Sequence, residues 1–133
     1  MLMASLMMLA APGPAWVAAR GGPGGAPVEI DRRSLTWRNL QRVVWRMRLP
    51  EPRRDGTVEE RHVDLVDCGA GLTAVIETVS LDAGGQVLND QRDGESLARQ
   101  RLSPPTPGTV GETVAERACL LRPPPPPPPR RRR

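Results

Sequence analysis

Three groups of residues have the types and spacing that chemistry would need, and the first is centred on a histidine. His62 is the only histidine in the chain. Glu60 and Asp64 stand two positions before and after it, so in a strand all three side chains would share one face. No nucleophile with a base and an orienting group can be assembled around His62 from the sequence. We therefore interpret His62 as a surface histidine and predict that the protein is not an enzyme.

The second group has the outline of a dinucleotide-binding fingerprint. Residues 69–74 read G-A-G-L-T-A and follow an apolar run. The residues after them are β-branched, and Asp82 comes too early to bind a ribose. We predict a tight turn between two strands and no cofactor.

The third group is acidic and could in principle hold Ca²⁺. Asp90, Asp93 and Glu95 lie close together around Gly94. Their spacing is not that of a calcium loop. We predict a solvated hairpin end and no metal.

Cys68 and Cys119 are the only cysteines. Zinc needs about four ligands, and two cysteines with His62 fall short. A thiol nucleophile would have His62 as its only candidate base. In an exported chain an even cysteine count favours a disulfide, which would stabilise the fold by about 4 kcal/mol on the chain-entropy estimate.

Export is predicted from the N-terminus. Residues 1–19 contain no charged side chain and end in Val17-Ala18-Ala19, so we predict a signal peptide cleaved after Ala19. The alternative, a buried helix, would be interrupted by residues 12–14, Pro-Gly-Pro. Residues 20–27 are predicted to be a flexible linker. No cysteine stands at the cut and no apolar run is long enough to span a bilayer, so we expect a periplasmic or secreted protein without a lipid anchor.

The net charge of +4 is concentrated at the C-terminus. Five of the nineteen arginines lie in residues 122–133, which leaves fourteen arginines against fifteen acidic residues elsewhere. The chain has no Phe or Tyr and three Trp, so stacking platforms for nucleic acid are poorly supplied. We predict no specific nucleic-acid binding, and we expect Trp37 and Trp45 to fill the core.

The C-terminal residues 122–133 are predicted to be a disordered tail. Seven prolines, residues 123–129, favour a polyproline II rod. Its tip, Arg130, Arg131, Arg132 and Arg133, is a candidate for weak contact with anionic lipid or lipopolysaccharide. The alternative is an extension without a selected role.

The elements that must position these residues are mostly strands. Alternation in residues 42–49 predicts a strand with Val43, Trp45 and Met47 on its apolar face. Further strands are predicted at residues 28–31, 58–68, 73–81, 86–89 and 96–102, with a turn at residues 82–85.

The pattern becomes helical after residue 108. Thr109 and Glu112 form a capping box, and apolar residues from Val110 to Leu121 recur at helical spacing. Strands followed by a helix predict an α+β fold, a small antiparallel sheet with a C-terminal helix packed on one face and tied by the disulfide.

The order of these pieces resembles the surface-adhesin protein E-like family of bacterial exported domains. The resemblance covers residues 28–121. It is carried by Val28-Glu29-Ile30-Asp31, Ser34-Leu35, Val43-Val44-Trp45, Val66-Asp67-Cys68, residues 81–88 (L-D-A-G-G-Q-V-L), and Pro107-Gly108-Thr109-Val110 leading into Cys119.

The resemblance implies the same sheet, helix and disulfide, and a binding or adhesion module, since the family's named members are adhesins that bind host matrix proteins. The partner would be an unknown protein or envelope ligand. Two hypotheses compete with it: a structural envelope protein held near anionic surfaces by the tail, and a small enzyme that uses His62 and nearby carboxylates.

Overall fold

A computed structural model describes residues 14–19 and 25–131. Six strands form one antiparallel sheet in which each strand pairs with the next along the chain. The alternation predicted for residues 42–49 is confirmed, with Val43 and Trp45 buried where β3 pairs with β4. The strands are β1 Trp16–Ala18, β2 Val28–Asp31, β3 Leu40–Arg48, β4 Glu59–Asp67, β5 Leu72–Leu81 and β6 Val87–Arg92.

The predicted turn between β4 and β5 is stabilised by an aspartate side chain. Between β4 and β5, the Asp67 carboxylate accepts hydrogen bonds from the N–H groups of Gly69 and Ala70. Gly71 follows with a φ of +70°, a conformation that costs glycine little. The glycines of the G-x-G outline thus form a tight turn, and the chain continues as strand β5 rather than as a phosphate-binding helix.

The C-terminal helix α2, Val110–Leu121, packs on one face of the sheet as predicted. At its start the Thr109 hydroxyl accepts a hydrogen bond from the Glu112 N–H at 3.3 Å, which confirms the cap. Val114 and Ala118 are buried in one cluster with core residues of β2, β3 and β4, among them Ile30 and Trp45. We call this side of the sheet the α2 face.

A disulfide joins Cys68, just after β4, to Cys119 in α2, with the two Cα atoms 5.7 Å apart. The predicted pairing is confirmed. It holds the helix against the end of a central strand, while the Arg122 guanidinium donates to the Asn39 side chain at 2.9 Å beside it.

The strand predicted at residues 96–102 is wrong. The chain forms a helix there, α1, Glu95–Gln100. Ala98 is buried against Leu65 and Ile76 on the side of the sheet opposite α2, which we call the α1 face. A helix forms here because it packs Ala98 against this apolar cluster and because Glu95 and Arg99 make an i, i+4 ion pair.

Strand β1 lies inside the segment predicted as a signal peptide. Ala19 donates its N–H to the Val28 carbonyl, Arg32 donates to the Ala15 carbonyl, and Val17 packs against the core. Cleavage after Ala19 would therefore remove an edge strand from the sheet. Residues 1–13 lie outside the described residues, and the signal peptide stays a prediction.

The end of the predicted linker belongs to the fold. Ala26 is buried, and the Pro27 carbonyl accepts a hydrogen bond from the Arg48 N–H. Gly25 is exposed, and the other predicted linker residues, 20–24, lie outside the described part.

After α2 the chain leaves the body of the protein. Residues 123–131 are exposed and belong to no helix or strand. In the described part of the chain, neither helix has the length and apolarity that crossing a bilayer requires.

Candidate functional site

Helix α2 covers only part of its face of the sheet. Its buried residues pack over β2, β3 and the end of β4, and the part formed by β4, β5 and β6 carries a cleft of about 550 Å³. The chain between α1 and α2 supplies the facing wall, because Ser103 pairs with Thr73 at the edge of β5 before the chain crosses to the α2 face. The strands contribute Asp64, Thr73, Val75, Thr78 and Gln91 to the cleft.

Asp64 is the buried ionisable group of this cleft. Only 6% of the residue is exposed. Its Oδ2 accepts a hydrogen bond from the Trp45 indole N–H at 3.0 Å, whereas its Oδ1 is buried and has no hydrogen-bond partner among the described residues. Burial raises the pKa of Asp64 to about 6, and the Trp45 hydrogen bond offsets only part of that rise.

His62 lies next to Asp64 and is not a surface residue, so that interpretation was wrong. Its side chain is 13% exposed and stacks on Trp45 with ring centroids 4.0 Å apart and planes 6° from parallel. The cause is the strand register, which places Trp45 directly opposite His62. Burial lowers the pKa of His62, although the adjacent Glu60 works in the opposite direction.

Both ring nitrogens of His62 have partners. Nε2 is 3.2 Å from a carboxylate oxygen of Glu60, which also forms an ion pair with Arg53. Nδ1 is 3.4 Å from the Thr78 hydroxyl, which lies in the wall of the cleft. The sequence placed Glu60 beside His62 correctly. It did not indicate Thr78, because only the pairing of β4 with β5 brings Thr78 next to His62.

The series Thr78, His62, Glu60 has the order of a nucleophile, a base and an orienting carboxylate. Thr78 lies within a strand that pairs with His62 on one side and Gln91 on the other. Its backbone N–H therefore serves the sheet ladder and is not directed at a developing negative charge, as an acyl-transfer site requires. The series accounts for the position of the His62 ring better than for a reaction.

The acidic cluster does not converge on a metal. Each of its carboxylates pairs with a different arginine: Asp90 with Arg92, Asp93 with Arg101 and Glu95 with Arg99. No group of three or more metal-ligating side chains occurs in the part of the chain that the structure describes.

The tryptophans divide between core and surface. Trp45 is buried as predicted, but Trp37 is 45% exposed, so its placement in the core was wrong. It follows the short 3₁₀ turn Arg32–Ser34 in a loop before β3, and the Arg38 guanidinium carbon lies 5.5 Å from its ring centre.

The predicted cationic tip is exposed at Arg130 and Arg131, and Arg132 and Arg133 lie outside the described residues. Comparisons with protein-family models, with curated proteins and with solved structures found no match to this chain.

Proposed function

We propose that this chain is a non-catalytic binding module of an exported protein, of the surface-adhesin protein E-like kind, and that it binds its partner at the cleft on the α2 face. The observation that carries the proposal is the position of α2. It leaves part of one sheet face open above a buried carboxyl group, with Val75 51% exposed in the cleft. A face that served only the core would be closed over such groups.

The covalent structure supports export. The disulfide between Cys68 and Cys119 is compatible with an oxidising compartment. A binding role also fits the polar lining of the cleft, since pockets orient ligands with a few well-placed polar groups beside apolar ones.

The proposal is tested by blocking the cleft. The full chain is produced in an oxidising compartment and assayed by surface plasmon resonance against a panel of immobilised host matrix proteins, the partner class that the resemblance suggests. Val75→Trp adds bulk inside the cleft at an exposed position, and Val87→Trp adds the same bulk at a valine of β6 that is 55% exposed and lies outside this cleft.

We expect binding to at least one matrix protein that Val75→Trp weakens about tenfold or more and Val87→Trp leaves within about twofold. Both variants should keep the melting temperature of the parent. Binding that both variants retain, or no binding to any member of the panel, would contradict the proposal.

A second candidate function is association with anionic surfaces through the tail. The observation in its favour is that residues 123–131 are exposed and carry Arg130 and Arg131 away from the folded body. Each arginine near an anionic membrane contributes about 1 kcal/mol. Binding to phosphatidylglycerol vesicles that disappears on deletion of residues 123–133 and in high salt would support this alternative, and vesicle binding that survives the deletion would exclude it.

A further inference from the structure

We infer that the cleft on the α2 face binds an alkylammonium group, a protonated primary amine on a short apolar stem, with Asp64 as its anion. This inference rests on the proposed function and names the ligand class of the same site. It follows from the unused hydrogen-bonding capacity of Asp64, from the acceptors around it and from the apolar part of the cleft.

Asp64 has one oxygen satisfied and one oxygen without a partner. Trp45 donates to Oδ2 at 3.0 Å, and Oδ1 is buried without a partner among the described residues. A carboxylate can accept several hydrogen bonds, and a buried acceptor left unpaired destabilises the fold. Because Trp45 occupies one side of the carboxyl group and Asp64 lines the cleft, the cleft is the direction from which a donor can arrive.

The rest of the cleft suits a donor on an apolar stem. Thr73, Thr78 and Ser103 line it, and each carries a hydroxyl group that can accept a hydrogen bond. Val75 and the adjacent Pro104 and Pro105 provide apolar surface in the same cleft. Methylene groups pack on such surface while a charged head is bound elsewhere.

A compact ammonium fits better than other cations. Oδ1 is itself covered, so lining side chains must move apart to admit a donor, and a compact ammonium requires less movement than a planar guanidinium. A divalent cation needs six or more oxygen ligands or several waters, and Asp64 is the only carboxylate of the cleft that is not paired with an arginine, since Asp93 binds Arg101 at 3.3 Å.

The experiment titrates the ¹⁵N-labelled full chain with Nα-acetyl-lysine amide and with the diamine putrescine. The readout is the NMR signal of the Trp45 indole N–H, which donates a hydrogen bond to Asp64. The chain has three tryptophans, and a Trp37→Phe variant simplifies the assignment of their signals. Nα-acetyl-norleucine amide has the stem without the ammonium, and CaCl₂ supplies a cation without the stem.

Two variants form a matched pair. Asp64→Asn removes the charge but keeps an acceptor for Trp45, and Asp90→Asn removes the charge of a half-exposed carboxylate of β6 that pairs with Arg92 and lies outside the cleft. We expect a saturable shift with an amine, weakened about tenfold or more by Asp64→Asn and within about twofold by Asp90→Asn. A response to the lysine amide but not to putrescine would assign the site to a peptide side chain, and the reverse to a free amine.

The inference is overturned by no saturable shift up to about 10 mM amine, by equal binding of the norleucine compound, or by a response to Ca²⁺ alone. Any of these results leaves the proposed function standing if Val75→Trp still abolishes matrix-protein binding. The proposed function itself is contradicted by a different result, binding to matrix proteins that Val75→Trp does not weaken.

Discussion

At the scale of single residues, the two buried groups Asp64 and His62 change the stability of the protein with pH in opposite directions. Burial raises the pKa of the Asp64 carboxyl group to about 6 from an ordinary value of 3.8. The folded protein therefore binds a proton that the unfolded chain releases between about pH 4 and pH 6, and stability from this group falls as pH rises through that window. His62 contributes in the opposite direction, because burial lowers its pKa and its protonation opposes folding.

The substitution Asp64→Asn isolates the contribution of Asp64. The neutral amide still accepts a hydrogen bond from Trp45 and carries no buried charge, so at pH 7.5 we expect the free energy of unfolding to rise by roughly 1–3 kcal/mol. At pH 4 the difference should shrink to near zero. Urea denaturation of both proteins at the two pH values measures this, and His62 is present in both, so its own titration largely cancels.

A gain at pH 7.5 that persists unchanged at pH 4 would mean that burial of the charge is not its cause. A loss of stability at both values would mean that Oδ1 has a partner that the amide cannot serve.

At the scale of elements, the disulfide and helix α2 act together. The bond closes a separation of 51 residues between Cys68 and Cys119, and the loop-entropy estimate for this length is about 4 kcal/mol. We expect the double substitution Cys68→Ser, Cys119→Ser to lower the free energy of unfolding by about that amount. Guanidinium denaturation of the double variant and of the oxidised parent measures the difference.

The reduced parent is the control for the two serine hydroxyls, and it should match the double variant. A loss below about 1 kcal/mol would mean that packing of Val114 and Ala118 alone holds α2 to the sheet.

Strand β1 gives a second prediction at this scale. It pairs with β2 along three residues and buries part of Val17, and the Arg46 guanidinium carbon lies 4.1 Å from the centre of the Trp16 ring. We expect a chain that begins at residue 20 to be less stable than one that begins at residue 14 by about 2 kcal/mol. Chemical denaturation of the two chains compares them, and the intact mass of protein recovered from a bacterial periplasm shows which start is native.

Equal stability of the two chains would mean that β1 contributes little to the sheet. A periplasmic mass that matches a start at Arg20 would place β1 in the discarded segment and leave β2 as the edge strand of the mature protein.

How far the sequence predicted these elements depended on the range of the interactions. Alternation of apolar residues in β3 and the cap at Thr109 are local, and both were correct. Helix α1 was missed because its six residues carry too short an apolar pattern to separate a helix from a strand, and only contact with Leu65 and Ile76 decides between them.

At the scale of the whole molecule, the candidate site was only partly predictable. The strand spacing placed Glu60, His62 and Asp64 on one face, but Trp45 and Thr78 reach them through pairing with β3 and β5. The cleft itself arises because the chain crosses from the α1 face to the α2 face around the edge of β5. A crossing of this kind depends on where distant elements pack, and the apolar periodicity of the sequence carries no information about that packing.

The charge of the molecule is divided unevenly between the folded part and the tail. The folded part is close to neutral and its ion pairs are mostly partly exposed, so they contribute little to stability. The excess positive charge lies in the tail, apart from the cleft, and the two proposed modes of association can therefore be removed independently by deleting residues 123–133 or by blocking the cleft at Val75.

¹³C NMR of the Asp64 carboxyl carbon measures whether this buried group of the cleft accepts a ligand. A pH titration of the full chain is recorded with and without Nα-acetyl-lysine amide. We expect a pKa of about 6 for Asp64 in the free protein and a lower pKa with the amine bound, because an ammonium favours the ionised form. A pKa near 3.8 in the free protein, or one near 6 that saturating amine leaves unchanged, would show that Asp64 is not a buried carboxyl group that binds an amine.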